Sequence, residues 1–385
     1  MLPMYARLLS RPGTSVLLLG PRGTGKSTWI RQNFTGVTTF DLLDTGAVIR
    51  LSKDPSILYR EASALPANSW VVIDEVQKVP GVLDEVQRLI EDRGLRFVLS
   101  GSSARKLKKG NANLLAGRAV LTEMHPLVSA EVGFDLKIPD VFRFGMLPVA
   151  YTGDDPVAYL RTYAEVYLRE EIQGEALTRN IGHFARFLEI AARQNGQATS
   201  GAAIARDAQV GRQTVQGYFE ILADTLIGYW LPPWKLKRAT KQVTHPKFYF
   251  FDAGVARALS GRLPYPPTDE ELGPLFETFV LSEIRAFLSY RHLHYPLFYW
   301  RSYDGVEVDL LFETARGYLA IEMKSGDRWD TRFNRGFARV RDNLGAGKVR
   351  CLGVYNGVRE ALFDDVRVLP LADFLRELWG GGIVA

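Results

Sequence analysis

The sequence predicts an α/β fold in which a parallel β-sheet comes first and two further modules follow. Two apolar runs carry this prediction, residues 16–19 and residues 70–73. Because neither run alternates with polar residues, both are typical of strands buried on both faces of a parallel sheet. The first run leads into a glycine-rich loop and a helical segment, and the second ends in two adjacent carboxylates. Strand, loop and helix in this order indicate a nucleotide-binding sheet.

The composition is ordinary for a globular chain. The 385 residues are 46% hydrophobic and 24% charged, and the formal net charge of +5 permits an acidic partner such as nucleic acid. Cys351 is the only cysteine, which excludes an intrachain disulfide and a cysteine zinc cluster and fits a reducing cytoplasm. No apolar run reaches the roughly 20 residues that span a membrane. Residues 1–10 reach the glycine-rich loop too soon to hold a signal peptide.

The loop after the first strand fits the pattern G-x-x-x-x-G-K-[ST] from Gly20 to Ser27. Glycines let backbone N–H groups curl around a phosphate chain, and the following helix adds the positive end of its dipole. Lys26 would reach the β- and γ-phosphates of ATP, and the Ser27 hydroxyl would bind Mg²⁺. A glycine-rich turn that matches by chance is disfavoured, because strand, spacing and helix agree. The predicted nucleotide-binding residues are Gly20, Pro21, Arg22, Gly23, Thr24, Gly25, Lys26, Ser27 and Thr28.

Asp74 and Glu75 stand at the end of the second apolar run. In P-loop ATPases the first carboxylate holds Mg²⁺ through water and the second can orient the attacking water. Asp74 is therefore a predicted metal ligand and Glu75 a predicted catalytic residue. A strand end with surface acids is the alternative. The pair favours an ATP-hydrolysing enzyme over a small-molecule kinase, which does not need the glutamate.

These motifs resemble those of the AAA+ superfamily, and more narrowly those of prokaryotic AAA ATPases with a nuclease-like C-terminal domain. The resemblance covers nearly the whole chain. The motifs that carry it are residues 20–27, 71–75, 99–103 and 115–118.

The resemblance implies two further catalytic residues. Ser102, after the strand beside the carboxylate strand, would sense the γ-phosphate, with Ser100 and Ser103 as alternatives. Arg118 would act in trans on the nucleotide of a neighbouring subunit in a ring. The competing interpretations are ordinary turn chemistry for the serine and a solvated surface position for the arginine.

Residues 183–250 look like a winged helix. The predicted elements are helices at 184–193, 201–208 and 212–222 and a hairpin that pairs 227–234 with 247–251. The third helix would be a recognition helix, and the hairpin would carry a basic tip beside Trp230 and Trp234. A module that only packs against protein is the alternative. The predicted DNA-binding residues are Arg212, Gln213, Lys235, Lys237, Arg238 and Lys241.

The last module resembles the PD-(D/E)xK nuclease core, without its proline. Asp309 lies in a predicted hairpin, and Glu322 and Lys324 lie in the next strand, where alternation puts both side chains on one face. The resemblance implies that Asp309 and Glu322 bind Mg²⁺ and that Lys324 activates water. Glu277, on the preceding helix, would complete the metal cluster, and Glu283 is the less favoured choice. A cross-strand ion-pair network and a nuclease fold kept only for binding are the alternatives.

The predicted segments are an AAA+ ATPase core at 1–130, a helical lid and linker at 131–180, a winged helix at 181–260 and a nuclease-like domain at 261–385. The expected protein is a cytoplasmic ATPase that uses ATP and Mg²⁺ and forms a homo-oligomeric ring on DNA. The most specific function that we expect is ATP-driven remodelling or branch migration of branched, Holliday-junction-like DNA. Metal-dependent cleavage of that DNA is left open. The alternative is an ATP-gated regulatory switch or defence protein whose C-terminal domain binds a partner without cutting DNA.

Overall fold

The computed structural model describes residues 5–103, 115, 117–167, 181–235 and 245–384. The chain divides into two compact units. The first unit consists of Ala6–Leu127 and Glu220–Ile227, and the second consists of Met1–Tyr5, Val128–Phe219 and Gly228–Ala385. The described part of the predicted lid falls in the second unit. The four predicted segments stay predictions.

The first unit is a parallel sheet flanked by helices. Its strands are β1 (Val16–Leu19), β2 (Thr38–Asp41), β3 (Trp70–Asp74), β4 (Arg96–Gly101) and β5 (Val120–Glu123). Its helices are α1 (Lys26–Asn33), α2 (Thr45–Lys53), α3 (Ser56–Ala62) and α4 (Val82–Arg93). Among the described residues the strand order is β2-β3-β4-β1-β5, and all pairs are parallel. The predicted parallel sheet is confirmed.

The helix α4 shows how sequence pattern and packing agree in this unit. Val82, Leu83, Val86 and Leu89 recur at helical spacing, and all of them are buried against the sheet core. The helix ends at Gly94, whose φ of 62° lies in the left-handed region that glycine adopts without strain. Burial of one apolar stripe therefore fixes the helix on the sheet.

The strand order brings three chain segments to one edge of this sheet. Leu19 of β1 lies opposite Gly101 of β4, and Ile73 of β3 lies opposite Leu99 of β4. Because these strands are parallel, their carboxyl ends coincide. The glycine-rich loop, the acids after β3 and the serines around the end of β4 therefore meet at the same edge.

The second unit begins with helices and a short hairpin. Its helices as far as residue 259 are α5 (Ile138–Phe144), α6 (Pro148–Thr152), α7 (Pro156–Thr162), α8 (Ile181–Arg193), α9 (Gly201–Asp207), α10 (Arg212–Asp224) and α11 (Ala253–Leu259). The residues of α10 from Glu220 onward fall in the first unit. The strands β6 (Gly228–Leu231) and β7 (Lys247–Phe250) form an antiparallel pair. This hairpin is the one that the sequence predicts.

The two tryptophans of the hairpin segment pack against protein. Trp230 packs on the rings of Phe219 and Phe248. Trp234 follows β6, donates a 2.7 Å backbone hydrogen bond to the carbonyl oxygen of Tyr299, and packs edge-on against the ring of Tyr318. Both tryptophans are half-buried, residues 236–244 of the predicted basic tip lie outside the described residues, and the expectation that the indoles flank a phosphate-contacting tip stays a prediction.

A mixed sheet forms the rest of the second unit. Its strands are β8 (Phe298–Arg301), β9 (Glu307–Thr314), β10 (Gly317–Lys324), β11 (Val349–Tyr355), β12 (Ala361–Phe363) and β13 (Val366–Pro370). Its helices are α12 (Asp269–Tyr290), α13 (Arg335–Leu344) and α14 (Leu371–Trp379). Among the described residues the order is β12-β13-β11-β10-β9-β8. The pairs β8–β9, β9–β10 and β12–β13 are antiparallel, whereas the pairs β10–β11 and β11–β13 are parallel.

The helix α12 begins earlier than the sequence indicates. The proline at position 274 suggests a boundary, but a capping box formed by Thr268 and Glu271 starts the helix at Asp269 and leaves Pro274 inside it. The helix packs against β10 and carries Glu277 toward the sheet. In the part of the chain that the structure describes, no helix is both long enough and apolar enough to cross a membrane.

Candidate nucleotide site and carboxylate cluster

The glycine-rich loop joins β1 to α1. The conformation and close packing of its backbone explain why glycine occupies several of its positions. Gly23 and Gly25 have φ values of 76° and 95°, in a region that residues with a Cβ rarely adopt. At Gly20, a Cβ would lie 2.4 Å from the carbonyl oxygen of Met124, so no side chain fits there. The loop is a tight turn that leads into the N-terminus of α1, an arrangement in which backbone N–H groups bind phosphate.

Lys26, the first residue of α1, lies over its own loop. Its ammonium donates hydrogen bonds to the carbonyl oxygens of Gly20 (2.7 Å) and Pro21 (3.1 Å), and only 5% of the residue is exposed. The cation is therefore held at the loop that the motif assigns to phosphate. Of the other predicted loop residues, Pro21 and Thr24 are buried, Arg22, Gly25 and Ser27 are half-buried, and Gly23 and Thr28 are exposed.

Ser27 and Asp74, the predicted Mg²⁺ ligands of this unit, are in direct contact. Ser27 Oγ donates a 2.8 Å hydrogen bond to Asp74 Oδ2, and Ser100 Oγ donates to Asp74 Oδ1. Hydroxyl and carboxylate oxygens are the hard donors that Mg²⁺ prefers, and here they converge beside the glycine-rich loop. The residues present therefore fit a Mg²⁺ ion at Ser27 and Asp74.

Glu75 follows β3 in a left-handed conformation, with a φ of 58°, and is 8% exposed. Its carboxylate accepts a 3.3 Å hydrogen bond from Ser102 Oγ. The predicted sensor serine therefore lies at Glu75, whereas the alternative Ser100 lies at Asp74. The third serine considered, Ser103, is also buried. The structure thus brings the predicted water-orienting glutamate and the predicted sensor together.

Gln77 is a member of this cluster that the sequence analysis missed. Its Nε2 donates to Glu75 Oε2 and, at 3.1 Å, to Ser102 Oγ, so it joins the two predicted residues. The short helical turn Val76–Lys78 brings it back to Glu75. Gly101 lies close by, since a Cβ there would come within 2.6 Å of Gln77 Oε1. No motif marks the glutamine, and its position depends on the turn.

Arg118, the predicted finger, forms an ion pair at the surface of its own chain. Its guanidinium lies 2.5 Å from Glu91 Oε1, and the arginine side chain is 36% exposed. The pair joins the segment before β5 to α4. The predicted role in trans concerns a neighbouring subunit and stays a prediction.

The second unit gathers the predicted nuclease-like residues on β9 and β10. Lys324 Nζ lies 2.5 Å from Glu322 Oε1 and 3.7 Å from Asp309 Oδ2. Asp309 Oδ2 also accepts a 2.8 Å hydrogen bond from the backbone N–H of Met323. Glu322 and Lys324 share a face of β10, as strand alternation predicts.

Glu277 reaches the same cluster from α12. Its carboxylate lies 3.6 Å from Lys247 Nζ and accepts a 2.5 Å hydrogen bond from Tyr249 Oη. Lys247 Nζ in turn lies 3.9 Å from Asp309 Oδ1 and 2.5 Å from Glu307 Oε1. The sequence analysis missed Lys247, Tyr249 and Glu307 as members of this cluster. Nothing in the hairpin sequence links Lys247 to carboxylates that follow it by 30 residues or more.

Glu283, the less favoured metal ligand, lies elsewhere in the unit. Its carboxylate accepts hydrogen bonds from the Ser129 N–H (2.7 Å), from Ser129 Oγ (2.8 Å) and from Trp379 Nε1 (2.6 Å). It therefore ties the start of this unit to the helix α14. Burial raises the pKa of Glu283 to about 7 despite these hydrogen bonds, which favour the charged form.

Burial also shapes the charges of the carboxylate cluster. It raises the pKa of Glu277 to about 7, with Lys247 opposing the shift and Asp309 adding to it. Burial and the charge of Asp309 raise the pKa of Glu322 well above its ordinary range. Burial alone would lower the pKa of Lys324, but the carboxylates of Asp309 and Glu322 outweigh it and raise that pKa. Both lysines therefore keep their charge at neutral pH, since neighbouring carboxylates raise the pKa of Lys247 in the same way.

The cluster as arranged here does not fit a divalent metal ion. Its oxygens are of the right chemical type, but the ammonium of Lys247 lies near them in addition to that of Lys324, which the motif itself supplies. Among the described residues, no three or more His, Cys, Asp or Glu side chains are grouped so that they could hold a metal ion. Glu277, Asp309 and Glu322 therefore meet in space, as predicted, but in a cluster of ion pairs.

The predicted DNA-binding residues are only partly described. Arg212 and Gln213 are exposed at the start of α10, and Lys235 is exposed after Trp234. Lys237, Arg238 and Lys241 lie outside the described residues. The exposed side chains are compatible with phosphate contacts, and no described contact assigns them that role.

Three family models match the chain, and the first of them agrees with the nucleotide site. They are described as an AAA domain over residues 13–133, a domain of unknown function (DUF8612) over residues 137–265, and a domain of unknown function (DUF4143) over residues 272–374. Fold, loop and matched domain define the first unit as a P-loop domain of the AAA ATPase class. An uncharacterized protein of Mycobacterium tuberculosis strain H37Rv is 30% identical over 319 residues, which span 80% of this chain and 70% of that protein. An uncharacterized protein of Mycobacterium bovis matches to the same extent, and the chain belongs to the family that these two proteins represent.

Solved structures resemble the chain only distantly. The Aeropyrum pernix ORC1 protein in complex with DNA is 14% identical, covers 65% of this chain and 87% of its own, and has a TM-score of 0.29. The ADP form of the ORC2 protein of the same organism is 12% identical and has a TM-score of 0.32. The match covers 66% of this chain and 88% of that protein. A signal transduction ATPase with numerous domains from Pyrococcus horikoshii is 12% identical and has a TM-score of 0.26. The match covers 73% of this chain and 46% of that protein. Resemblances with TM-scores this low carry no inference about function.

Proposed function

We propose that this protein hydrolyses ATP at the edge of its parallel sheet and uses the reaction to remodel DNA, with branched DNA as the preferred substrate. The observation that carries the proposal is the contact between Ser27 and Asp74 beside the glycine-rich loop. A buried lysine and a buried glutamate stand next to this pair, so a phosphate clamp, a metal site and a water-orienting carboxylate occupy one place.

In the proposed reaction each residue of the sheet edge has one task. Lys26 exchanges its two loop carbonyls for phosphate oxygens of ATP, and the loop N–H groups bind the same phosphate chain. Ser27 and Asp74 would hold Mg²⁺, and the bound ion would supply positive charge next to the phosphates. Glu75 orients the attacking water and accepts its proton.

Ser102 and Gln77 position Glu75 for this task. Both donate hydrogen bonds to its carboxylate, and both are buried. Because the carboxylate has two fixed donors, its free lone pairs face a limited set of directions. Arg118 of a neighbouring subunit would stabilise charge on the departing phosphate in a ring-shaped oligomer.

DNA binding is assigned to exposed cations of the second unit. Arg212 and Gln213 stand at the exposed start of a helix that follows a helix and a turn, the order of a helix-turn-helix. Lys235 is exposed beside the hairpin, and Lys237, Arg238 and Lys241 follow it in the sequence. Such a set would bind phosphates, and the net charge of +5 favours the same partner.

The test is ATP turnover measured without DNA and with linear duplex, single-stranded DNA or a four-way junction. We expect the junction to stimulate turnover well above the duplex. Lys26→Ala should abolish turnover in every condition, whereas Lys53→Ala, at an exposed lysine of α2, should leave it unchanged. Turnover that no DNA stimulates would overturn the remodelling proposal and leave the ATPase proposal intact.

A second candidate function is a nucleotide-gated switch whose C-terminal unit binds a protein partner. The observation that favours it is the cluster of ion pairs in the nuclease-like module, where two lysines neutralise the carboxylates. Slow turnover with tightly held nucleotide, unaffected by DNA, would support the switch. Fast turnover stimulated by DNA would exclude it.

A further inference from the structure

Lys247 is a buried cation placed inside the carboxylate cluster by a separate element of the fold. It is the first residue of β7, whereas the carboxylates belong to α12, β9 and β10. Its ammonium lies 2.5 Å from Glu307 Oε1, 3.6 Å from Glu277 Oε2 and 3.9 Å from Asp309 Oδ1. Only 5% of the residue is exposed, and the ring of Tyr299 lies 5.4 Å from the ammonium.

The two lysines of the cluster divide the carboxylate oxygens between them. Lys247 forms ion pairs with Glu277, with Glu307 and with Oδ1 of Asp309. Lys324 takes the Oδ2 side of Asp309 together with Glu322. Buried carboxylates at such short range need compensating positive charge. Two ammonium groups supply the same charge as one divalent ion.

An ammonium and a divalent ion cannot share this volume. A Mg²⁺ or Mn²⁺ ion bound by Glu277 and Asp309 would lie about 2.1 Å from their oxygens. Lys247 Nζ lies within 3.9 Å of oxygens on both residues, so an ion bound between them, with its water ligands, would come close to the ammonium. Charge repulsion adds to the steric exclusion.

We propose that Lys247 is a built-in cation that closes this carboxylate cluster to divalent metal, and that removal of its ammonium opens a metal site at Glu277, Asp309 and Glu322. The cluster is then a nuclease-like core in which a lysine from the neighbouring hairpin stands where the metal would bind. This inference is independent of the ATPase and of the DNA remodelling proposed above, because it concerns only residues of the second unit.

The experiment measures Mn²⁺ binding to the full chain by calorimetry and by the electron paramagnetic resonance signal of free Mn²⁺, without nucleotide. We compare the wild type with Asp309→Asn, which keeps an oxygen acceptor for the Met323 N–H. We expect identical Mn²⁺ binding, because neither protein has a metal site in the cluster. A wild-type site that disappears in Asp309→Asn would overturn the proposal.

The decisive variant is Lys247→Met, which keeps the unbranched side chain as far as Cε and removes the charged ammonium. We expect it to gain one Mn²⁺ site at least about tenfold tighter than any site at this cluster in the wild type, since an ammonium no longer repels the ion. The double variant Lys247→Met/Asp309→Asn should lose this site again. Mn²⁺ should also raise the melting temperature of Lys247→Met but not that of the wild type.

Arg301→Met is the matched control. Arg301 also pairs with Glu307, at 3.7 Å, but its side chain is 40% exposed. It lies near Oε2 of that carboxylate, whereas Lys247 lies near Oε1. Removal of this cation should create no Mn²⁺ site. If Lys247→Met does not fold, Lys247→Gln keeps a hydrogen-bond donor for Glu307 and is measured in its place. A folded Lys247 variant without a new Asp309-dependent site, or an equal gain in Arg301→Met, would overturn the proposal.

Discussion

Replacement of Glu283 by glutamine should abolish the pH dependence that this buried carboxyl group gives to the stability of the second unit. The residue is 2% exposed and accepts three hydrogen bonds, two from Ser129 and one from Trp379. Burial raises its pKa to about 7, against an ordinary value of 4.5. The folded protein therefore binds a proton at this site at pH values where the unfolded chain does not.

The sign and size of the effect follow from this difference. A carboxyl group with a raised pKa makes the folded state less stable as pH rises from about 4.5 to about 7, and the loss is complete above pH 7. Between pH 8 and pH 5 this one group should change the free energy of unfolding by about 2–3 kcal/mol, with the higher stability at pH 5. Glutamine does not titrate, so this contribution disappears in Glu283→Gln.

Glutamine also changes the hydrogen bonds at this position. An amide has one acceptor oxygen, and whichever way it is oriented, its NH₂ group faces either the Ser129 N–H or the Trp379 N–H. One buried donor then lacks a partner, which costs about 1–3 kcal/mol. At pH 5 the variant should therefore be less stable than the wild type, and at pH 8 the absence of the buried charge should offset most of this cost.

The assay is urea unfolding of both proteins at pH 5, 6, 7 and 8, followed by tryptophan fluorescence. The difference between the two proteins isolates Glu283, because other buried acids, such as Asp252 with a pKa raised by burial to about 6, contribute to both. Glu189→Gln, at an exposed glutamate of α8, should behave like the wild type. A difference between wild type and Glu283→Gln that does not vary with pH, or that grows in the opposite direction, would refute the reasoning.

Three further predictions concern the proposed ATPase and its partner. Glu75→Gln should keep ATP binding, measured by fluorescence titration, and lower turnover at least about 100-fold, because the amide cannot accept a proton from water; unchanged turnover would remove Glu75 from the catalytic role. Gln77→Ala should lower kcat by about tenfold with little effect on KM, because Glu75 loses a charge-assisted donor worth about 1.5 kcal/mol or more while the phosphate loop is untouched; a change in KM alone would assign Gln77 to nucleotide binding instead. Arg212→Ala should weaken DNA binding for all sequences alike and reduce the salt dependence of the affinity by about one counterion, measured by fluorescence anisotropy at several salt concentrations, with Arg193→Ala on α8 as the control; an unchanged salt dependence would place the phosphate contact elsewhere.

The sequence predicted that the glycine-rich loop and Asp74 meet, because the signal for each is local. The loop from Gly20 to Ser27 is one continuous motif, and the partner Asp74 ends an apolar strand that parallel pairing brings to the same edge. Gln77 escaped notice for a physical reason. Its contact with Glu75 requires a left-handed glutamate and one helical turn, and neither leaves a pattern in the sequence.

Glu277 and Glu283 of α12 show where helical periodicity fails to predict the direction of a side chain. Both glutamates lie on a helix that is buried around most of its circumference. The inward direction is then no longer unique. Glu277 turns toward Lys247 and Tyr249, whereas Glu283 turns toward Ser129 and the C-terminal helix. Only the positions of the partners, which lie far away in sequence, distinguish the two.

The carboxylates of the last module need a nearby positive charge. Their sequence pattern does not show whether a metal ion or an ammonium group supplies it. Asp309, Glu322 and Lys324 are close in sequence and predict a shared face, which the structure contains. Lys247 lies 62 residues before Asp309 and belongs to a hairpin whose own pattern indicates only a strand. Because an ammonium group or a divalent ion can neutralise the same oxygens, the motif alone does not distinguish a metal site from a cluster closed by ion pairs. The cation that the fold delivers to the cluster is therefore what decides its chemistry, and here the described cation from outside the motif is a lysine.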